Sequence, residues 1–226
     1  MAGKIVGPIF TGRGWDEYLK MFNLTEEELM NKSILDCAAG ASSFTRYLAG
    51  RGGEVRAVDL LYDQDPLVLR SLCQEHLEAL VKSLEPLKKE FEWSYFQDLA
   101  DLKEHRRLSC QEFYHDYSQH PDRYLWGDLT RLPFADGEYD LVLSSHLLFI
   151  YDHRLDLEFH ILALEEMCRV GQEVRIYPLV KRKKMKSEFL KPVWERLSGT
   201  VKLELVKVDY QFRRGGDQML VIKKMK

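Results

Sequence analysis

The chain has 226 residues, 45% hydrophobic and 31% charged, a balance that fits one globular domain and excludes a largely disordered chain. Its 33 basic and 36 acidic side chains leave a net charge of −3, which gives no global pull toward nucleic acid or anionic lipid. The four cysteines, Cys37, Cys73, Cys110 and Cys168, are widely spaced with no C-x-x-C pair, which excludes a zinc ribbon and predicts free thiols in a reducing compartment rather than a disulfide framework.

Residues 1–13 read as a Gly-rich loop. The pattern W-x-x-Y-L-x-M-F over 15–22 fits a short amphipathic helix, and Thr25 ahead of three glutamates reads as the capped start of another, so 1–32 form an N-terminal helical cap. A buried strand over 33–37 runs into a small-residue turn and a helix over 43–49, which Gly50, Gly52 and Gly53 terminate. A second strand follows over 54–59. Pro66 then opens a helix carrying Leu69, Leu72, Cys73, Leu77, Leu80, Val81 and Leu84 at helical spacing, and further helix is expected over 86–120. A crossover needs little more than one helix, so 65–120 is a helical insertion, placed to serve as a substrate lid. Strands over 123–126 and 139–144 flank turn chemistry at 132–137. A helix over 155–170, a strand over 173–180, a helix over 187–197 and a hairpin-like strand pair over 201–210 and 218–224 complete the chain. No run of apolar residues is long enough to span a bilayer, and residues 1–30 lack a secretory signal, so a cytoplasmic location is expected.

This order predicts a single α/β domain over 1–226. Its core is a Rossmann-like, doubly wound, mostly parallel seven-stranded sheet with an antiparallel last strand and the insertion between strands 2 and 3. A ligand site then belongs at the carboxyl ends of the strands, at the switch point.

The turn after the first strand, Asp36-Cys37-Ala38-Ala39-Gly40-Ala41-Ser42, lets a ligand approach the backbone closely. It lacks both G-x-G-x-x-G and Gly-Lys-Ser/Thr, and Asp36 at the strand end repels phosphate while attracting an ammonium or sulfonium. At 4 Å and an effective dielectric of 20 that attraction is about 4 kcal/mol. Asp59, 23 positions on, is placed to accept both hydroxyls of a ribose, with Leu60 packing on the base. Asp128 and the backbone N–H of Leu129, directly after the third strand, suit the polar edge of an adenine.

These residues, with the run Gly127-Asp128-Leu129-Thr130-Arg131-Leu132-Pro133-Phe134-Ala135-Asp136-Gly137-Glu138-Tyr139-Asp140-Leu141-Val142, make the chain similar to the class I S-adenosylmethionine-dependent methyltransferases. The likeness runs from about residue 34 to the C-terminus, excluding the insertion. It implies a transferase that takes a methyl group from S-adenosyl-L-methionine and leaves S-adenosyl-L-homocysteine. It also implies a cofactor site built from Asp36, Ala38, Gly40, Ser42, Asp59, Leu60, Asp128, Leu129 and Ser144. Ala38 and Ser42 stand where the family has glycines. Asp140, at the start of its strand, reads as structural, and Cys37 as a small buried residue.

Methyl transfer from a sulfonium is an in-line displacement in which positioning supplies roughly 7–11 kcal/mol. His146, at the active edge after the fourth strand, is the candidate general base. The histidines include no H-x-x-x-H pair, and no metal is expected. The acceptor is expected to be a small molecule, with no membrane partner. The insertion aromatics Phe91, Trp93, Tyr95, Phe96, Phe113, Tyr114 and Tyr117 are candidates for lining its pocket, Trp15 and Tyr18 for closing the other side, and Arg13 for meeting the cofactor carboxylate. Two alternatives stay open: an RNA methyltransferase using the basic run over 181–186, and a non-catalytic S-adenosylmethionine-binding domain.

Overall fold

The structure, a computed structural model, describes residues 8–181 and 185–225. Short apolar runs bounded by turn residues become the strands: β1 (Ser33–Cys37), β2 (Glu54–Asp59), β3 (Tyr124–Trp126), β4 (Tyr139–Ser145), β5 (Gly171–Tyr177), β6 (Val201–Lys207) and β7 (Gln218–Lys224). They form one sheet in the order β3-β2-β1-β4-β5-β7-β6. The first five are parallel, while β7 runs antiparallel to both β5 and β6. The expected sheet, its antiparallel last strand and the helical insertion are all present. The chain leaves β1 toward β2 on one side and returns at β4 on the other, so the switch point lies between β1 and β4.

The helices are α1 (Trp15–Met21), α2 (Glu26–Met30), α3 (Phe44–Gly50), α4 (Pro66–Leu84), α5 (Leu99–Gln119), α6 (Leu157–Val170) and α7 (Leu190–Leu197). Alternation along the strands sends side chains to opposite faces. Ile34, Leu141, Leu143 and Val221 join a core with Tyr18, Phe22, Phe44 and the insertion residues Leu84, Phe96 and Leu102. Leu35, Val142, Val174, Ile176, Leu220 and Ile222 pack instead with Leu164 and Met167 of α6 and Val193 of α7. A third cluster, with Leu69, Cys73, Phe113, Tyr117 and Tyr124, seats the insertion on the β2–β3 edge.

Three expectations are corrected. The insertion is not helical throughout: a 3₁₀ stretch ends at Glu90, and the chain then runs extended, with Phe91 bridged to Arg213 and the Glu92 N–H donating to the Phe212 carbonyl at 2.8 Å, until Asp98 caps α5 through the Asp101 N–H. Tertiary pairing there overrides the helical pattern. Cys73 and Cys110 are not free thiols but a disulfide joining α4 to α5, Cα atoms 6.4 Å apart; Cys37 is buried and Cys168 half-buried, both free. Finally, Trp15 and Tyr18 are core residues, stacked on the two sides of the α3 start through Phe44. Asp140 is structural, its carboxylate accepting from the Ser33 N–H and hydroxyl at the far end of the sheet. Among the described residues, no helix is long and apolar enough to cross a membrane.

Candidate functional site

A cavity of about 370 Å³ opens at the carboxyl ends of β1, β2, β3 and β4, a size ordinary for a small-molecule or cofactor site. Its floor is the turn after β1. Ala38 and Gly40 both adopt left-handed backbone, with φ of 52° and 59°, so the chain reverses tightly and its amides face the strand ends. Tyr62 holds the turn by donating to the Gly40 carbonyl at 2.6 Å.

Asp59 closes β2 and does two jobs. One carboxylate oxygen accepts from the Gly40 N–H at 3.0 Å and the other from the Leu61 N–H at 3.1 Å, which fixes the carboxylate on the cavity wall. Each oxygen keeps a lone pair for another donor. Burial pushes its carboxyl above the ordinary range despite those amides. Beside it Leu60 is 52% exposed at the cavity mouth.

Asp36 sits one layer behind. Its Oδ1 accepts from the Tyr18 hydroxyl at 3.1 Å, and its buried Oδ2 has no hydrogen-bond partner. Burial, with the charge of Asp59 adding to it, pushes this carboxyl up to about 8. The Nε of Arg13, which lines the cavity, and the Nδ1 of His146 are likewise buried without partners. Such orphaned atoms are rare in folded proteins, and these three cluster at the strand-end cavity. His146 itself has φ 58°, its N–H donates to the Tyr177 carbonyl at 2.7 Å, and burial with the nearby guanidiniums of Arg13 and Arg106 holds its imidazole well below the usual histidine range. A left-handed non-glycine residue at a rim is the kind of local cost that surrounding structure sustains at functional sites. Phe149, three residues on, has φ 64° and donates its N–H to Nε2 of the buried His160, which shapes the same loop.

The remaining wall is the N-terminal segment over 8–13, which lies across the turn as a strap. The Phe10 N–H donates to Nδ1 of His76 at 2.8 Å, and the Ile9 N–H to the Tyr151 hydroxyl at 3.2 Å. The Ser43 N–H and the Ser42 hydroxyl donate to the Arg13 carbonyl. Ser109 of α5 completes the clasp, its hydroxyl within reach of both the Arg13 and Ala41 carbonyls at 3.0 and 3.1 Å. A side chain on Gly12 would overlap the Ala41 carbonyl, so only glycine lets the strap lie this close.

Of the residues expected from sequence, Ala38, Gly40, Asp59, Leu60, Leu129, Arg13 and His146 line the cavity; Asp36, Ser42, Asp128 and Ser144 do not. The Ser42 hydroxyl donates to the Arg13 carbonyl and accepts from the Phe44 N–H at the start of α3. Asp128 turns back on itself, one oxygen accepting from both the N–H and hydroxyl of Thr130 at 2.8 and 2.9 Å. Ser144 is buried in the sheet with its hydroxyl unpartnered. None of the insertion aromatics reaches the cavity, and the insertion contributes Leu72 and His76 instead. Lys181 pairs with Asp152 at 2.6 Å and Lys186 donates to Gln218 at 3.0 Å, while residues 182–184 of the basic run lie outside the described residues. The strap, Leu72, His76 and Phe159 carry no motif; the one signal available was Gly12 between Thr11 and Arg13 in an otherwise unpatterned segment.

No protein-family model matches the chain. Over 217 residues it is 32% identical to the uncharacterized protein MJ0045 of Methanocaldococcus jannaschii, a match covering 96% of each chain. The chain belongs to the MJ0045 family. Among solved structures, a SAM-dependent methyltransferase from Aquifex aeolicus superposes with a TM-score of 0.43 at 17% identity, covering 92% of each chain. A TehB-like SAM-dependent methyltransferase from Corynebacterium glutamicum gives 0.44 at 19% identity, covering 86% of this chain and 80% of that one. For this MJ0045-family member the fold rests on its own sheet order and the site on its own side chains.

Proposed function

We propose that this chain binds S-adenosyl-L-methionine at the strand ends and transfers its methyl group to a small-molecule acceptor by in-line displacement. One arrangement carries the reading: an unpartnered buried carboxylate oxygen on Asp36 and an unpartnered guanidinium nitrogen on Arg13, beside the wall-mounted carboxylate of Asp59. An acid and a base side by side complement the ammonium and carboxylate of a free amino acid, and Asp59 complements a ribose diol. Leu60, Leu61 and Leu129 offer apolar surface to a base.

When bound, the sulfonium supplies an electrophilic methyl carbon with a good leaving group. The chain's part is then to hold reactants and exclude water. Arg13 fixes the carboxylate of the amino-acid end, Asp36 from one layer behind favours its ammonium, Asp59 holds the sugar, and the strap covers the floor of the cleft. His146, held neutral and with its Nδ1 free of protein partners, would take a proton from the acceptor. Lys181 is already paired with Asp152, which leaves the RNA reading without support at that position.

Isothermal calorimetry with S-adenosylmethionine, followed by tritiated-methyl transfer into fractionated extract, tests the proposal. Asp59→Ala is expected to weaken cofactor binding by about 1.5–3 kcal/mol, the worth of hydrogen bonds to a charged group. A protein that gives no heat with this sulfonium is not a methyltransferase of this type, and unchanged affinity in the variant removes Asp59 from the site.

A further inference from the structure

A second cavity, of about 530 Å³, lies among α3, α4 and α5 and shares no lining residue with the strand-end cleft. Helical spacing separates the two. On α4, Leu72 and His76 face the cleft, whereas Arg70, Gln74 and Leu77 form another stripe that lines the second cavity. Arg46 from α3 and Arg107, Gln111 and His115 from α5 converge on the same space. Its floor includes Cys110, whose bond to Cys73 ties α5 to α4 and fixes the spacing of the two walls.

The charge there leans positive. Three guanidiniums face a single carboxylate, Glu112, in a chain whose net charge is −3, so the cluster does not reflect a generally basic surface. Glu112 meets Arg46 at Nε, 2.5 Å away. Glu104, outside the cavity lining, grips Arg107 through Nε and Nη2 at 2.7 and 2.6 Å, and Nη1 donates to the Gln111 amide oxygen at 3.0 Å, so Arg107 contributes charge more than free N–H groups. Arg70 has no carboxylate within ion-pair distance among the described residues. Its guanidinium lies 5.0 Å from the centre of the Tyr114 ring, within cation–π range. The planar guanidinium of Arg70 is matched by an oxyanion that accepts two parallel hydrogen bonds, and the charges of Arg46 and Arg107 beside it favour an anion with several charged oxygens.

We propose that this groove on the helical insertion is a binding site for a phosphate-bearing anion, separate from the strand-end cleft. Free polyphosphate and the phosphodiester backbone of RNA share that chemistry. The test is isothermal calorimetry of the full-length protein at low ionic strength with sodium pyrophosphate, and in a second arm with a mixed-sequence single-stranded RNA oligonucleotide. Pyrophosphate is expected to bind, and Arg70→Gln, an exposed substitution that leaves the helix intact, to weaken it at least tenfold with an unchanged melting temperature. RNA that binds and is displaced by pyrophosphate identifies a nucleic-acid source; pyrophosphate binding with no heat from RNA identifies a free anion. Three results overturn the proposal: no heat from either probe, an affinity unmoved by both Arg70→Gln and Arg46→Gln, or displacement of pyrophosphate by S-adenosylmethionine. The first two say nothing of cofactor binding in the cleft, and the third presupposes that the cofactor binds, so the two readings fail separately.

Discussion

Asp36 ends β1 with one oxygen on the Tyr18 hydroxyl and the other on nothing, and burial pushes its carboxyl up to about 8. Its charge is therefore suppressed at neutral pH until a cation arrives. Ligand binding that ionises it must release a proton, so affinity for S-adenosylmethionine rises with pH, by up to tenfold per unit, and levels off above about 8. The same group acts on stability with the opposite sign of benefit. Between the unfolded value of 3.8 and about 8 the folded chain holds a proton that the unfolded chain has lost, so stability falls as pH rises through that window. Calorimetry at pH 7 in buffers of differing ionisation enthalpy should show close to one proton released per cofactor bound, and none for Asp36→Asn. Buffer-independent heat from the unmodified protein removes Asp36 from the site. The acids at strand ends are legible in sequence because the strand boundaries are. Their side-chain directions are not: Asp59 reaches the cavity, whereas Asp128 folds onto Thr130, a contact two residues away that competes with any ligand.

At the scale of elements, periodicity locates strands and long helices well, since each buries one face. β1, β2 and β7 fall where the apolar runs end. The strap has no such period. It is held by its backbone, through His76, Tyr151, Ser42, Ser43 and Ser109, partners scattered over the chain, so nothing local announces it. Gly12 is its tightest point. Gly12→Ala forces a methyl into the Ala41 carbonyl, and the strap must lift from the turn whose amides form the cleft floor. We expect a loss of about 1–3 kcal/mol in urea unfolding, the usual cost of overpacking, together with weaker cofactor binding. A variant with parent stability and affinity would mean that the strap does not rest on the turn in solution.

The whole molecule is joined by a buried ion pair that no local pattern reveals. Glu17 of α1 is fully buried; in sequence it reads only as an acid in a first helical turn. Its carboxylate takes bonds from Arg106 of α5, 89 residues away, and from the Tyr210 hydroxyl, 193 residues away at 2.6 Å, and its Oε2 also accepts from the Gly14 N–H. Burial raises the cost of that charge, and Arg106, Arg13 and the Tyr210 hydroxyl together outweigh it, so the carboxyl stays below its ordinary range. The N-terminal cap, the insertion and the C-terminal hairpin are thus clamped at one point, with Arg13 near enough to feel both charges. The pair's value lies in registry more than in net energy, because two desolvated ions roughly cancel their own attraction. That distinction is measurable. Arg106→Met strands a buried carboxylate and should cost about 3–5 kcal/mol. Glu17→Gln combined with Arg106→Met removes the stranded charge, keeps one oxygen to accept from the Gly14 N–H and offers an amide NH2 to the Tyr210 oxygen, and should recover at least half of that loss in urea unfolding. A double variant as unstable as the single one would show that the clamp works through the guanidinium's packing on Phe96, 5.3 Å from the ring centre, rather than through its charge.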